Sequence, residues 1–199
     1  MELISDILYW ISTGLLVPVI VALILLFLRS LLLIGSFFGQ YLMLRKTAAH
    51  VRTALTDVTL ETLDQVAQKL PQKSNAPVIG YIRQMIAARD SQAEVQRLLA
   101  EYEIAADRDL STSKLLSKLG PMLGLMGTLI PMGPALAGLA TGDIESMARN
   151  MQVAFSTTVT GLVAAAIGFI TQQVKQRWYQ QDMTNLEYLA EILNSSNRS

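Results

Sequence analysis

Three long apolar runs restrict this chain to a narrow set of folds. The first extends from near Ile7 through Leu28, the second from about Leu119 to Ala140, the third from about Met151 to Val174. Crossing a bilayer core as a helix takes about 20 apolar residues, and each run is long enough. Inside hydrocarbon every backbone N–H and C=O needs a partner within the protein, so only helices and closed barrels span it. Continuous apolar runs of this length are helical. The expected fold is an all-α membrane protein with three transmembrane helices, a helical cytoplasmic insert and a C-terminal cytoplasmic helix.

Composition removes other classes. Hydrophobic residues make up 51% of the 199 and charged residues 16%, against about 25% charge in soluble domains. Basic and acidic residues balance at 16 each, so no bulk field points to nucleic acid. The chain has no cysteine, which excludes disulfides and thiolate metal sites, and its single histidine, His50, cannot build a zinc site alone. No cofactor or metal is expected. A nucleophile with its base, a phosphate loop and a metal cluster are all missing from the sequence, so an enzyme is not expected.

The N-terminus does not read as a cleaved leader. Glu2 and Asp6 stand where a signal peptide carries lysines, and no small-residue cleavage site follows the apolar run. The first run is read as a retained anchor. Arg45, Lys46 and Arg52 follow it, Lys114 and Lys118 precede the second run, and Lys175 and Arg177 follow the third. The other flanks hold acids, with Arg149 the one exception. By the positive-inside rule the N-terminus is expected outside and the C-terminus in the cytoplasm.

This divides the chain into residues 1–44, a first helix extending into the cytoplasm; 45–118, the insert; 119–174, a transmembrane hairpin; and 175–199, an amphipathic tail. Apolar sequence resumes after Arg29 and continues to Leu44, so the first helix is expected to run about 38 residues, or about 57 Å. Arg29 has two readings: a snorkelling interfacial residue or a functional intramembrane charge. In the insert, Lys46 to Leu70 reads as a helix with Val51, Leu55, Val58, Leu63 and Val66 on one face. Pro71 to Pro77 reads as a turn and Val78 to Arg89 as a short helix. Ser91 and Glu94 fit a capping box opening a further helix that carries Val95, Leu98, Leu99 and Tyr102. A short loop at Thr141 to Asp143 joins the second and third runs, with Asp143 or Thr141 as the cap. Trp178 reads as an interfacial anchor.

The second and third runs share a rhythm of small residues and prolines. Gly120, Gly124, Gly127, Pro131, Pro134 and Gly138 recur at fours and threes; so do Ala154, Thr158, Gly161, Ala165 and Gly168. That is the seam period of packed helices, written in residues that let backbones approach closely. Pro131 and Pro134 also release backbone carbonyls that need partners or water. Thr128 and Thr158 stand on or beside these seams, with Ser156, Thr157 and Thr160 close by. Either these hydroxyls bond back to their own helix and simply pack, or they line an ion path. No aspartate or glutamate lies in any of the three runs. A proton relay in hydrocarbon uses an ionisable side chain, so a proton path here needs a carboxylate from another protein.

The stretch Leu119-Gly-Pro-Met-Leu-Gly-Leu-Met-Gly-Thr128-Leu-Ile-Pro-Met-Gly resembles the second-span motif of the MotA/TolQ/ExbB proton-channel family. Ala154-Phe-Ser-Thr-Thr158-Val-Thr-Gly161-Leu-Val-Ala-Ala resembles its third-span motif. Together they cover roughly residues 118 to 178, and the insert's size resembles the ExbB and TolQ branch. The resemblance implies a homopentameric stator in the lipid bilayer, surrounding a single-span partner of the ExbD, TolR or MotB type that carries a membrane aspartate. Ion flow past that aspartate would power transport or mechanical work at the envelope. It further implies that Thr128 and Thr158 face the pore and that Gly124, Gly127 and Gly161 pack helices. Ser156 and Thr157 extend the hydroxyl cluster, which would also suit sodium. Two features depart from the ExbB and TolQ pattern: Val153 stands where an acid often precedes the threonine by five, and Pro131 and Pro134 interrupt the second span. The alternatives are a non-conducting membrane scaffold and a small partner-independent transporter.

Overall fold

The computed structural model describes residues 2–55 and 76–196, and among them it is helical apart from short connections. Four helices are described: α1 (Glu2–Leu55), α2 (Pro77–Ala87), α3 (Gln92–Thr141) and α4 (Ile144–Ser196). Three of them, α1, α3 and α4, are long and apolar enough to cross a membrane.

The first and last of the long helices outrun their expected ends. The first is continuous for 54 residues rather than about 38, and passes through Lys46 without a break. The apolar face expected at residues 51–66 and the turn expected from residue 71 lie outside the described residues or their described side chains. The third span and the tail form one helix, α4, of 53 residues. The helix opened at Ser91 runs on through the second span as α3, 50 residues long despite Pro121, Pro131 and Pro134. At 1.5 Å per residue α3 is about 75 Å long, against a hydrocarbon core of about 30 Å. Its charged beginning and the polar second half of α4 therefore lie outside the hydrocarbon.

The chain forms two compact units. Of the described residues, those within 1–35 and 112–172 make the first, and those within 36–111 and 173–199 the second. In the first unit α1 buries one stripe, Val19, Leu23, Leu26, Ser30 and Leu33, at three- and four-residue spacing. Its remaining apolar side chains stay exposed, Trp10 at 75% and Leu32 at 76% among them. A helix that is apolar all round but buries only a stripe is built to face lipid. Leu26 and Leu33, with Phe27, pack against Leu116, Leu119 and Leu123 of α3 and Ala164 and Ile167 of α4.

The α3–α4 connection explains why the hairpin is tight. Asp143 N–H bonds to the Gly138 carbonyl at 2.8 Å and Gly142 N–H to the Leu139 carbonyl at 3.2 Å, a Schellman end. Gly142 takes φ +75°, a conformation costly for a residue with a Cβ. Asp143 then caps α4, its carboxylate accepting from Ser146 N–H at 3.0 Å, while Thr141 donates back to the Ala137 and Gly138 carbonyls.

The second unit has its own core. Val78, Ile79, Ile82, Met85 and Ile86 of α2 fall on one helical face and pack against Val95, Leu98 and Tyr102 of α3 and Leu186, Leu189, Ala190 and Leu193 of α4. Fully burying such a side chain contributes about 1.5–3 kcal/mol. Pro77 suits the first turn of α2, where its missing N–H has no helical partner to lose. Ser91 Oγ accepts from Glu94 N–H at 3.4 Å, one half of the expected capping box, but the Glu94 carboxylate pairs with Arg97 instead.

Candidate functional site

The seam between α3 and α4 is as close as its glycines allow. A Cβ built on Gly161 would sit 2.5 Å from the Gly120 carbonyl oxygen and 3.0 Å from the Gly124 Cα. One on Gly120 would meet the Gly161 carbonyl at 2.6 Å and the Ala165 Cβ at 2.9 Å. At Gly127 it would meet the Thr157 side chain at 2.6 Å, and at Gly168 the Leu116 Cβ at 2.6 Å. Gly124 is looser, its nearest neighbours being Thr158 backbone atoms at 3.5 Å. Pro131 is fully buried, Ala165 is 8% exposed and Pro134 is half-buried. Farther along the seam the buried Thr171 and Ser113 hydroxyls meet at 3.3 Å.

The hydroxyls separate by face. A helix turns about 100° per residue. Leu123 packs toward α1, and Thr128 stands about 140° round the helix from it. Ile167 packs toward α1, and Thr158 stands about 180° from it. Both threonines therefore belong to the side of the hairpin turned away from α1. Thr157 is 6% exposed and held in the seam against Gly127. Ser156 is exposed and stands about 20° from Ile167, on the other side. The four hydroxyls do not share one surface.

Each threonine spends its proton inside the protein. Thr128 Oγ1 donates to the Leu125 carbonyl at 2.7 Å. Thr158 Oγ1 lies 3.2 Å from the Ala154 carbonyl and 3.4 Å from the Gly124 carbonyl across the seam. Their oxygens keep lone pairs for a cation or a proton carrier. Pro131 withholds an N–H from the Gly127 carbonyl and Pro134 from that of Ile130, adding backbone oxygens of the same polarity. In the same unit Arg29 reaches Thr112 Oγ1 at 3.4 Å while remaining exposed.

A second polar constellation, in the second unit, was not singled out from the sequence. Asp109 accepts from Lys175 Nζ at 2.7 Å and from the Tyr179 hydroxyl at 2.6 Å. Asp182 accepts from the Tyr102 hydroxyl at 2.9 Å. The signal was the seam rhythm itself. Stepping from Gly161 through Ala164, Gly168 and Thr171 arrives at Lys175; stepping back from Gly120 through Leu116 and Ser113 arrives at Asp109. Trp178, expected as an interfacial anchor, stacks on Phe37 with centroids 5.7 Å apart.

The two carboxylates titrate in opposite directions. Burial pushes Asp109 up, but hydrogen bonds from Lys175 and Tyr179 outweigh it and hold the group below its usual range. Burial dominates at Asp182, and the single bond from Tyr102 does not offset it, so its pKa rises to about 6. The native state then binds the extra proton between the ordinary aspartate pKa and about 6, and Asp182 costs stability as pH rises through that window. The cost at neutral pH is about 3 kcal/mol. Asp182→Asn keeps an acceptor for Tyr102 without the charge. It is expected to match the parent protein near pH 4 and to unfold several degrees higher at pH 7.5. Thermal scans in detergent across that range check this; parallel pH profiles would count against it.

Comparisons with known proteins agree with the hairpin. A model of the MotA/TolQ/ExbB proton channel family matches residues 63–188, which include both α3 and most of α4. Searches of curated proteins and of solved structures give no significant match. With three helices long and apolar enough to cross a membrane, a glycine seam and a family match over more than half its length, the chain belongs to the MotA/TolQ/ExbB proton channel family.

Proposed function

We propose that this protein is the pentameric stator subunit of a proton-driven motor of the inner membrane, working around a single-span partner that carries the membrane aspartate. The observation that carries this reading is the pair Thr128 and Thr158 on the hairpin side away from α1, in spans that hold no carboxylate of their own. In a ring of five copies that side encloses the central path, and α1 faces lipid with its exposed apolar side chains. The partner's aspartate takes and releases the proton, and the threonine oxygens and proline-freed carbonyls stabilise the transit. The basic flanks support a topology with the N-terminus outside and residues 45–118 and the C-terminal tail in the cytoplasm. The work powered is transport or force at the envelope.

Co-reconstitution with the partner in vesicles tests the reading. Thr158→Val keeps the shape of the side chain and removes its oxygen. Hydrogen bonds to charged groups contribute about 1.5–3 kcal/mol, so flux is expected to fall about tenfold or more. The mass of the complex is expected to stay unchanged. An assembled Thr158→Val complex with normal proton flux would remove the pore role and leave a packing scaffold. Running the same assay with sodium in place of a proton gradient decides the ion.

A further inference from the structure

The second unit contains a cavity of about 170 Å³ whose walls include Gln40, Tyr102, Asp109, Trp178, Tyr179 and Asp182, the rest being alanine and proline. Its two phenol donors are already spent. The Tyr102 hydroxyl proton goes to Asp182, and the Tyr179 hydroxyl and the Lys175 ammonium go to Asp109. The two phenol oxygens and the two carboxylates keep lone pairs. The charges do not cancel either. Asp109 is neutralised by Lys175, whereas Asp182 is held only by a neutral phenol and has no ion-pair partner among the described residues. The cavity therefore carries one uncompensated carboxylate beside three aromatic side chains, and a cation that donates hydrogen bonds to that carboxylate gains from the charge. The volume lies below the roughly 300–1,000 Å³ of pockets for drug-sized ligands. The occupant is correspondingly small.

We propose that this cavity binds the terminal ammonium or guanidinium group of an organic cation, with Asp182 as its counter-ion and the Tyr102 and Tyr179 oxygens as further acceptors. The group arrives either on a free small cation or on the side chain of a lysine or arginine in a partner protein. The site owes nothing to the threonines of the hairpin, so loss of ion flux and loss of cation binding are read separately.

Trp178 supplies the readout. The chain has two tryptophans, and Trp10→Phe leaves Trp178 as the sole reporter. In the full-length protein in detergent, methylguanidinium and propylammonium are expected to change Trp178 fluorescence saturably, while neutral methylurea at equal concentration does not. Asp182→Asn is expected to weaken that binding at least tenfold, and Glu103→Gln, at an exposed position, to leave it unchanged. A short peptide with a central arginine separates the sources. Tighter binding of the peptide than of methylguanidinium points to a partner's side chain, and equal binding to a free cation. Either result supports the site. Absence of saturation with both cations, an equal response to methylurea, or unchanged affinity in Asp182→Asn overturns it.

Discussion

Gly161→Leu is expected to abolish the packed hairpin. The first side-chain carbon alone would lie 2.5 Å from the Gly120 carbonyl oxygen and 3.0 Å from the Gly124 Cα. Both obstacles are backbone atoms of α3, so no rotamer change relieves the clash, and the two helices must separate. Overpacking a well-filled contact costs about 1–3 kcal/mol when side chains can adjust. Here they cannot, and about 3 kcal/mol or more is expected. Gly168→Ala meets the Leu116 Cβ at 2.6 Å and the Ser117 nitrogen at 2.7 Å and belongs with it. Gly124→Ala is the contrasting case. Its Cβ would make ordinary contact at 3.5 Å, and alanine is the better helix former by about 0.5–1 kcal/mol. Thermal unfolding of the detergent-solubilised protein should rank Gly124→Ala at or above the parent and the other two well below it. Equal midpoints for Gly161→Leu and Gly124→Ala would falsify the close approach of α3 and α4.

Asp109→Leu is expected to destabilise the second unit by about 3–5 kcal/mol, the range for stranding one member of a buried ion pair. Lys175 is only 4% exposed in its side chain and Asp109 is its carboxylate partner at 2.7 Å. The reverse change, Lys175→Leu, should cost less. Asp109 is 39% exposed, so water reaches it, and Tyr179 still donates to it. Replacing both residues by leucine should recover most of the loss, because neither charge is then left in an apolar setting. A double-mutant cycle on unfolding midpoints measures the coupling. Additive losses would mean that the two side chains do not stabilise one another.

Much of the architecture was legible along the chain, for identifiable reasons. Apolar runs beyond about 20 residues have one use, and the spans at Leu119–Ala140 and Met151–Val174 follow from them. The four-and-three spacing of Gly120, Gly124, Gly127, Gly161 and Gly168 located the seam, because only packed helices need small residues at that interval. Helix ends were less legible. α1 and α4 continue far past their apolar stretches. Their polar continuations are stabilised by contacts with other parts of the chain, as Leu186 and Leu189 are by α2, and local sequence does not state those contacts. Asp109 and Asp182 were hidden for a similar reason. Asp109 follows Asp107 and Arg108 in a charged stretch and Asp182 stands in a polar one, and only partners 66 and 80 residues away in sequence make them half-buried acceptors.

Two levels of information therefore remain separate. Residue chemistry alone settles that the chain is helical, crosses a membrane, packs two of its spans through glycine and carries no carboxylate within them. Those properties depend on composition and period, which are local. Which hydroxyls share a surface was decided in three dimensions. Ser156, Thr157 and Thr158 are consecutive, yet one stands on the α1 side of the hairpin, one is held in the seam and one lies on the opposite side with Thr128. A rotation of about 100° per residue sends neighbours in sequence to different faces, and only the placement of α1 against the hairpin tells the faces apart.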